Sequence, residues 1–247
     1  PQCKPHVVYW NNIPAPYMVD RFNAIAQRGN FDFEAWFNAA SETGRSWEVN
    51  EAEWVFKYRY VPSFKFASRQ LHFPMPLFGR NLPDILVMLY SEPVFLFGWM
   101  IARLRGVRTV FRILTTFNSW VRRRWYKEHV KKYIFSRVDG VETTGTDGRK
   151  FAAKYGTPSN KIFYATHALD IKHFKKGRKA ALKMRDIIRS TLDLRGVTFV
   201  YVGRLWHGKG VTFLLEAFYK LQTSSDKSVS LLLIGDGPEE NKLRKIC

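Results

Sequence analysis

The chain has 247 residues, of which 46% are hydrophobic and 25% are charged. This length can bury a sizeable core, and the composition excludes a mainly disordered protein. The formal net charge of +19 predicts an anionic partner: a nucleic acid, an anionic membrane surface or a phosphorylated substrate. Two cysteines stand near opposite ends, Cys3 and Cys247, which excludes a disulfide framework and favours a reducing, cytoplasmic setting.

No signal peptide and no membrane-spanning segment is visible in the sequence. Residues 1–6 have no apolar segment of the signal-peptide kind, and the most apolar run, 93–102, is about half the length that a bilayer crossing needs. The sequence lacks an initiator Met and stops inside an apparent helix. We therefore expect a fragment, shortened at both its C-terminus and its N-terminus.

The first two-thirds of the chain alternates between apolar strands and amphipathic helices. The first helix has apolar residues at helical spacing from Met18 to Ala26 and is expected to stop at Gly29. Strands are predicted at 7–10, 31–37, 54–59, 85–89, 109–114, 139–144 and 161–165, with further helices at 94–105 and 149–155. This alternation predicts a parallel, doubly wound α/β sheet.

Ligands of such sheets bind beyond the carboxyl ends of the strands. The loops at Asn12, Glu92, Thr115 and Gly145 each follow a predicted strand, so we expect them to share one rim. Residues 41–83 are harder to interpret, because aromatic residues, mixed charges and prolines alternate there. An aromatic cluster beside the core is the favoured interpretation, and an exposed sugar- or lipid-binding surface is the alternative.

Residues 119–137 form a predicted basic helix with interleaved aromatic side chains. Its cations are Arg122, Arg123, Arg124, Lys127, Lys131 and Lys132. A run of charge usually marks a solvated helix face. Because tryptophan and tyrosine accompany the cations, the helix could instead rest on an anionic membrane surface.

A second α/β unit is predicted from residue 197. An apolar strand at 197–202 and a helix with an apolar stripe at 211–221 flank the loop Gly203–Gly210, GRLWHGKG. Glycines allow close approach of the backbone, and a helix N-terminus favours negative charge. Arg204 and Lys209 add two cations, so the loop is suited to a pair of phosphates. An ordinary strand-to-helix turn with two solvated cations is the alternative.

Two known phosphate-binding patterns compete for this loop. Gly203, Gly208 and Lys209 fit the spacing of a Walker A loop, but Gly210 stands where that loop needs Ser or Thr for magnesium. The loop also resembles the retaining glycosyltransferases of family 4, in which G-R-L, a short spacer and K-G-x-x-x-L-L-x-A follow a strand. The resemblance implies that Gly203, Arg204, Lys209 and Gly210 bind the donor's diphosphate.

Weaker similarities to that family occur along the chain in the expected order. They are the N-x-P-x-P-Y loop from Asn12 to Tyr17, the turn at Glu92, a D-x-x-x-F segment from Asp170 and a G-x-G-P segment at 235–238. The resemblance implies a GT-B fold of two Rossmann-like domains, the second incomplete. Its expected parts are an acceptor-side domain at 1–171, a linker at 172–195 and a donor domain from 196 to 247. Asn12, Tyr17 and Glu92 are the acceptor-side candidates.

The sequence departs from the family at two places. Some members have a histidine in the loop that here follows residue 114, and none is present, so no catalytic residue is assigned. The family's pair of glutamates that holds the donor's sugar and ribose would lie beyond Cys247. The 247-residue chain is therefore expected to contain half of a donor site and to be inactive by itself.

The expected function is retaining transfer of a sugar from a nucleotide diphosphate sugar to a glycan or lipid-linked acceptor. Polysaccharide or glycolipid synthesis at the cell surface is the expected process, with the protein cytoplasmic or peripheral on the inner face of the cell membrane. Neither a metal nor another cofactor is expected, because the two cations can offset the diphosphate charge. A P-loop ATPase and a basic nucleic-acid-binding protein remain as alternatives.

Overall fold

The computed structural model describes residues 4–41, 50–66, 69–114, 125–224 and 227–246. They form two compact units, one that ends at Leu169 and one that begins at Asp170. The first unit contains an extensive hydrophobic core, whereas the second has only a small buried cluster.

The first unit alternates strands and helices as the sequence predicts. Its elements are β1 (His6–Asn11), α1 (Pro16–Arg28), β2 (Asp32–Phe37), β3 (Lys57–Tyr60), β4 (Ser63–Phe66), β5 (Arg69–His72), β6 (Ile85–Leu89), α2 (Pro93–Leu104), β7 (Arg108–Ile113), α3 (Trp125–Phe135), β8 (Gly140–Thr143), α4 (Thr146–Lys154) and β9 (Ile162–Tyr164). The predicted stop of α1 is confirmed, because Gly29 has φ 65° and caps the helix.

Seven of these strands form one parallel sheet in the order β3-β2-β1-β6-β7-β8-β9. The predicted parallel, doubly wound sheet is therefore confirmed. The strand order changes direction between β1 and β6, which are hydrogen-bonded neighbours. This is the topological switch point, beside which open α/β sheets bind their ligands.

Successive residues of β1 point to opposite faces of the sheet, and each face has its own helices. On one face the fully buried ring of Trp10 lies 5.1 Å from Phe95 of α2. On the other face Tyr9 packs against Phe22 of α1, with ring centroids 5.5 Å apart. Trp10 packs this closely against α2 only because residue 98 is a glycine, since a Cβ at Gly98 would lie 2.3 Å from the Trp10 ring.

The structure differs from the sequence prediction mainly between residues 50 and 78. The strand predicted at 54–59 is β3, which begins three residues later, at Lys57. An antiparallel hairpin of β4 and β5 follows, which the sequence did not predict. Phe56 is buried, as a cluster beside the core requires, whereas Phe64 and Leu71 of the hairpin are exposed.

The basic helix is only partly within the described residues. Its observed portion is α3, and residues 119–124, with Arg122, Arg123 and Arg124, lie outside the described ranges. Lys131 is wrongly predicted as part of a solvated face: it is 4% exposed, and its ammonium group lies 2.8 Å from Glu128. None of the helices in the described residues has the length and apolar character that a bilayer crossing requires.

The second unit is built around two parallel strands. Its elements are α5 (Ile171–Lys183), α6 (Arg185–Thr191), β10 (Val197–Val202), α7 (Val211–Ser224), β11 (Val229–Ile234) and α8 (Glu240–Arg244). β10 and β11 pair over their full length. Leu205, Val211 and Leu243 form the buried cluster, with Tyr201, Leu215 and Leu233 packed against it. The interval 172–195 contains the helices α5 and α6.

Candidate functional site

The loop from Gly203 to Gly210 connects β10 to α7. After the strand, the side chain of Leu205 enters the small core, and the hydroxyl of Tyr201 donates to the carbonyl oxygen of Arg204 at 3.0 Å. A short 3₁₀ turn at His207–Lys209 follows, and Gly210 takes a left-handed conformation with φ 69°. The loop is therefore held at its strand end and turns sharply into α7 at Gly210.

A second glycine-containing loop, 235–239, runs alongside the first. The amide of Leu205 donates to the carbonyl of Asp236 at 2.6 Å, and the amide of Glu239 donates to the carbonyl of Leu205 at 3.1 Å. A Cβ at Gly235 would lie 2.0 Å from the carbonyl oxygen of Gly203, and a Cβ at Gly237 would lie 2.3 Å from that of Leu205. Only glycine permits this approach, so the G-x-G-P segment fixes the backbone of the G-R-L segment.

The two cations of this loop have no acidic partner within the described part of the chain. Neither Arg204 nor Lys209 forms an ion pair there, and Nε of Arg204 is buried without a hydrogen bond. Lys209 is exposed, one residue before Gly210. A buried N–H group without an acceptor is costly, so Arg204 is suited to an added anionic ligand.

The N-terminus of α7 adds to the positive character of the site. The first amides of any helix lack intrahelical acceptors, and the helix dipole places partial positive charge there. The first turn of α7 contains no acidic residue, and Gly210 directly precedes it. Loop, cations and helix N-terminus together can bind a diphosphate.

At the switch point of the first unit, two of the acceptor-side candidates contact each other. Asn12 follows β1 and Glu92 follows β6, and Nδ2 of Asn12 donates to Oε1 of Glu92 at 2.5 Å. Asn38 donates to Oδ1 of Asn12 at 3.3 Å and accepts the indole N–H of Trp10 at 2.8 Å. The rim is therefore hydrogen-bonded to the buried core through an asparagine that the sequence analysis missed.

Tyr17, the third candidate, lies in a different cluster. Its ring is 5.2 Å from that of His167, which follows β9. Burial, and then the charges of Arg112 and Arg21, lower the pKa of His167. His167, Arg112 and Arg21 are not among the site residues predicted from the sequence.

Beneath Tyr17 and His167 lies a buried ionic cluster that links four elements. Glu142 of β8 accepts a 2.6 Å hydrogen bond from Tyr9 of β1 and forms ion pairs with Arg21 of α1 and Arg112 of β7. Burial, followed by the charge of Glu142, raises the pKa of Tyr9, so its hydroxyl remains a donor. The sequence signal for this cluster is a charged residue inside each of two apolar strands.

Comparison with known proteins gives a family match for the second unit and fold matches for the whole chain. Residues 196–247 match the family described as "Glycosyl transferases group 1". No curated protein matches the chain.

Among solved structures, HepE from Anabaena, in complex with UDP and glucose, has a TM-score of 0.66 at 11% identity, over 98% of this chain and 64% of its own. The UDP-forming α,α-trehalose-phosphate synthase from Burkholderia vietnamiensis has a TM-score of 0.57 at 11% identity, over 98% of this chain and 66% of its own. The UDP-N-acetylglucosamine 2-epimerase from Rickettsia bellii has a TM-score of 0.51 at 15% identity, over 97% and 64%.

This chain thus spans about two-thirds of the length of these proteins. Because the identities are low, the likeness to these structures concerns the fold alone. The family resemblance predicted from the loop at Gly203 is confirmed by the family match over residues 196–247. The chain therefore has an α/β fold of the GT-B type, and its residues 196–247 match the family of glycosyl transferases of group 1.

Proposed function

We propose that the protein is a glycosyltransferase that transfers a sugar from a nucleotide diphosphate sugar to a glycan or lipid-linked acceptor, with retention of anomeric configuration. The observation that carries the proposal is the loop from Gly203 to Gly210, which combines glycines, a helix N-terminus and Arg204, whose buried Nε has no acceptor among the described residues. Its support from outside the chain is the family match over 196–247. HepE, which has a similar fold, was solved with UDP-glucose.

The two cations would act on the leaving group. As the bond between sugar and diphosphate breaks, negative charge grows on the diphosphate, and fixed positive groups stabilise that charge without reorganisation. Arg204 offers a planar, two-point contact, and Lys209 offers a compact charge. These groups can replace a divalent metal in this role, so we propose a metal-independent transfer.

Titration of UDP into the protein, with and without a magnesium chelator, tests the proposal. A charge-assisted contact to phosphate contributes about 1.5–3 kcal/mol, so Arg204→Ala and Lys209→Ala should each weaken binding roughly ten- to a hundredfold. Arg204→Lys should recover only part of the loss. Lys220→Ala removes an exposed cation of α7 and is the matched control. Chelation should leave all affinities unchanged.

A Walker-type ATPase would give a different result. Lys209 would matter, Arg204 would matter little, and chelation would abolish tight binding. The left-handed conformation of Gly210 argues against that alternative, because the Ser or Thr that holds magnesium would be strained there. Binding of UDP by Arg204→Ala with the parent's affinity would contradict the glycosyltransferase proposal.

We further propose that the acceptor is used at the inner face of the cell membrane, with α3 resting on anionic lipid. Trp125 is 75% exposed, and Tyr126 and Tyr133 are exposed on the same helix, together with Lys127 and Lys132. Aromatic rings beside cations are typical of helices that lie in a membrane interface. An anionic surface would also attract the strongly positive chain.

Binding to lipid vesicles tests this part of the proposal. Vesicles with anionic lipid should bind the protein and neutral vesicles should not, and reversing three charges next to α3 should remove the difference. The test variant changes Arg122, Arg123 and Arg124 to Glu, and the control variant changes Lys175, Lys176 and Arg178 of α5 to Glu. Equal loss in both variants would indicate attraction by net charge alone and would contradict a role of α3.

A further inference from the structure

We propose that the first unit has a separate oxyanion-binding site, in which Arg21 and Arg112 bind a carboxylate or phosphate group at the N-terminus of α1, beneath Tyr17 and His167. The site differs from the diphosphate loop, which belongs to the second unit. Five observations carry it: the charge of the cluster, its unused donors, the helix end, the gradient of exposure and the edge of the sheet on which it lies.

The buried cluster has more positive than negative charge. Nη2 of Arg21 lies 2.9 Å from Oε1 of Glu142, and Nε of Arg112 lies 3.3 Å from the same oxygen. Tyr9 is neutral, since burial and Glu142 raise its pKa. Two guanidinium groups therefore share one carboxylate, which leaves a net charge of about one positive unit that a single oxyanion would balance.

Each of the two arginines has a buried side-chain nitrogen that donates to no described acceptor. Nη2 of Arg112 and Nη1 of Arg21 are buried without a hydrogen bond in the part of the chain that the structure describes. Arg112 is only 3% exposed, and burial, followed by the charge of Arg21, lowers its pKa. Buried guanidinium N–H groups that lack acceptors are rare and are a natural place for an oxygen ligand.

The N-terminus of α1 adjoins these donors. Nη1 of Arg112 lies 2.9 Å from Sδ of Met18, in the first turn of α1. That turn contains no acidic residue, and Ala15 at the N-cap supplies no side-chain cap. The partial positive charge of a thirteen-residue helix is therefore not offset at this end, which favours an anion.

Exposure rises in steps from the cluster to the surface. Arg112 is buried, Tyr17 is half-buried and His167 is exposed, and the rings of Tyr17 and His167 are in contact. Burial, and then the charges of both arginines, lower the pKa of His167, whereas Glu142 raises it, so the charge of the cluster acts on His167. Rotation of the rings of Tyr17 and His167 would give an oxyanion access to the arginines.

The cluster lies at the edge of the sheet where the acceptor-side rim is found. α1 begins just after β1 ends at Asn11, and His167 follows the end of β9. If the proposed sugar transfer is correct, the oxyanion belongs to the acceptor, so that acceptors with a phosphate monoester or a carboxylate are preferred. This assignment of the ligand to the acceptor rests on the proposed function, whereas the binding site itself does not.

The test uses inorganic phosphate and acetate as probes at constant ionic strength. Binding is measured by calorimetry, and the His167 pKa is followed by NMR, with His167→Gln used to assign the resonance. A bound oxyanion should raise the His167 pKa, because it offsets the two arginines. Arg21→Gln should weaken binding of the preferred probe about tenfold or more and should abolish this change. Arg28→Gln removes an exposed cation from the same helix and should have neither effect.

The remaining arms identify the ligand and separate the two sites. A response to phosphate, to acetate or to both supports the site and shows which group it takes. No response of His167 to either probe, or equal losses in Arg21→Gln and Arg28→Gln, would overturn the inference. Arg204→Ala should keep the phosphate response of His167 while losing UDP binding. Unchanged UDP binding by Arg204→Ala, with the phosphate response of His167 preserved, would therefore refute the proposed transfer and leave this site intact.

Discussion

Glu142 is the residue whose removal should destabilise the first unit most clearly. Its carboxylate is 5% exposed and is shared by Arg21, Arg112 and the hydroxyl of Tyr9. In Glu142→Ala, Arg112 would remain buried with no carboxylate beside it, and Tyr9 would lose its acceptor. Both consequences disfavour the folded state.

The magnitude follows from these two losses. Breaking a buried ion pair by removal of one partner costs about 3–5 kcal/mol, and a buried donor left without an acceptor costs about 1–3 kcal/mol. The two terms overlap, because both concern one carboxylate, so the expected loss is about 3–5 kcal/mol. With a urea slope of about 2 kcal/mol per molar, the midpoint should fall by roughly 1.5–2.5 M.

Tryptophan fluorescence during urea denaturation measures this loss. Among the described residues, the buried tryptophans are Trp10, Trp36 and Trp99, all in the first unit, so the signal reports that unit. Asp32→Ala is the control: Asp32 pairs with Lys57 at 2.8 Å on the surface and should cost less than about 1 kcal/mol.

Two results would refute the reasoning. A loss below about 1 kcal/mol for Glu142→Ala would show that solvent reaches the cluster and replaces the carboxylate. The stability loss of Glu142→Ala should be smaller when Arg112→Met is added. If it is not smaller, the buried charge of Arg112 is not the cause.

Three further predictions concern single positions. Gly237→Ala should disrupt the second unit, because φ is 153° and the new Cβ would lie 2.3 Å from the carbonyl oxygen of Leu205; an unchanged thermal melt would contradict this. Gly177→Ala, where the added Cβ would have no described atom within 4 Å beyond its chain neighbours and the backbone of its own helix, should stabilise α5 by about 0.5–1 kcal/mol, measured as a higher urea midpoint. Burial lowers the pKa of His72, so the unfolded chain binds the proton first as the pH falls below about 6.5, and stability should decline in acid. His72→Gln should flatten that decline, and an equal slope in both proteins would refute it.

The strands β1, β2 and β6 of the parallel sheet were predictable because they are largely buried and rich in apolar residues. The hairpin of β4 and β5 was not, because its charged and aromatic residues do not show which side chains face the protein. Lys131 was misassigned for a related reason: its charge suggested solvent, whereas Glu128 lies within 2.8 Å of its ammonium group. Local pattern cannot reveal a partner that only the fold supplies.

One candidate site was also predictable from local sequence, whereas the other depends on the fold. The loop at Gly203 was predictable, since strand, glycines, cations and helix are consecutive in the sequence. The cluster around Glu142 was not, because Arg112 and Glu142 become neighbours only through the register of β7 and β8. The charged residue within TVFRIL was the available signal, since an isolated charge in a buried strand requires a partner.

The hydrogen bonds from Trp10 through Asn38 and Asn12 to Glu92 connect a buried chromophore to the rim of the first unit. The indole N–H of Trp10 donates to Asn38, which is one asparagine removed from the rim. A molecule that displaces Asn12 from Glu92 would reorient Asn38 and change the emission of Trp10, although it never touches the ring. We therefore expect tryptophan emission to change when a ligand occupies this rim, and Trp10→Phe should remove that change.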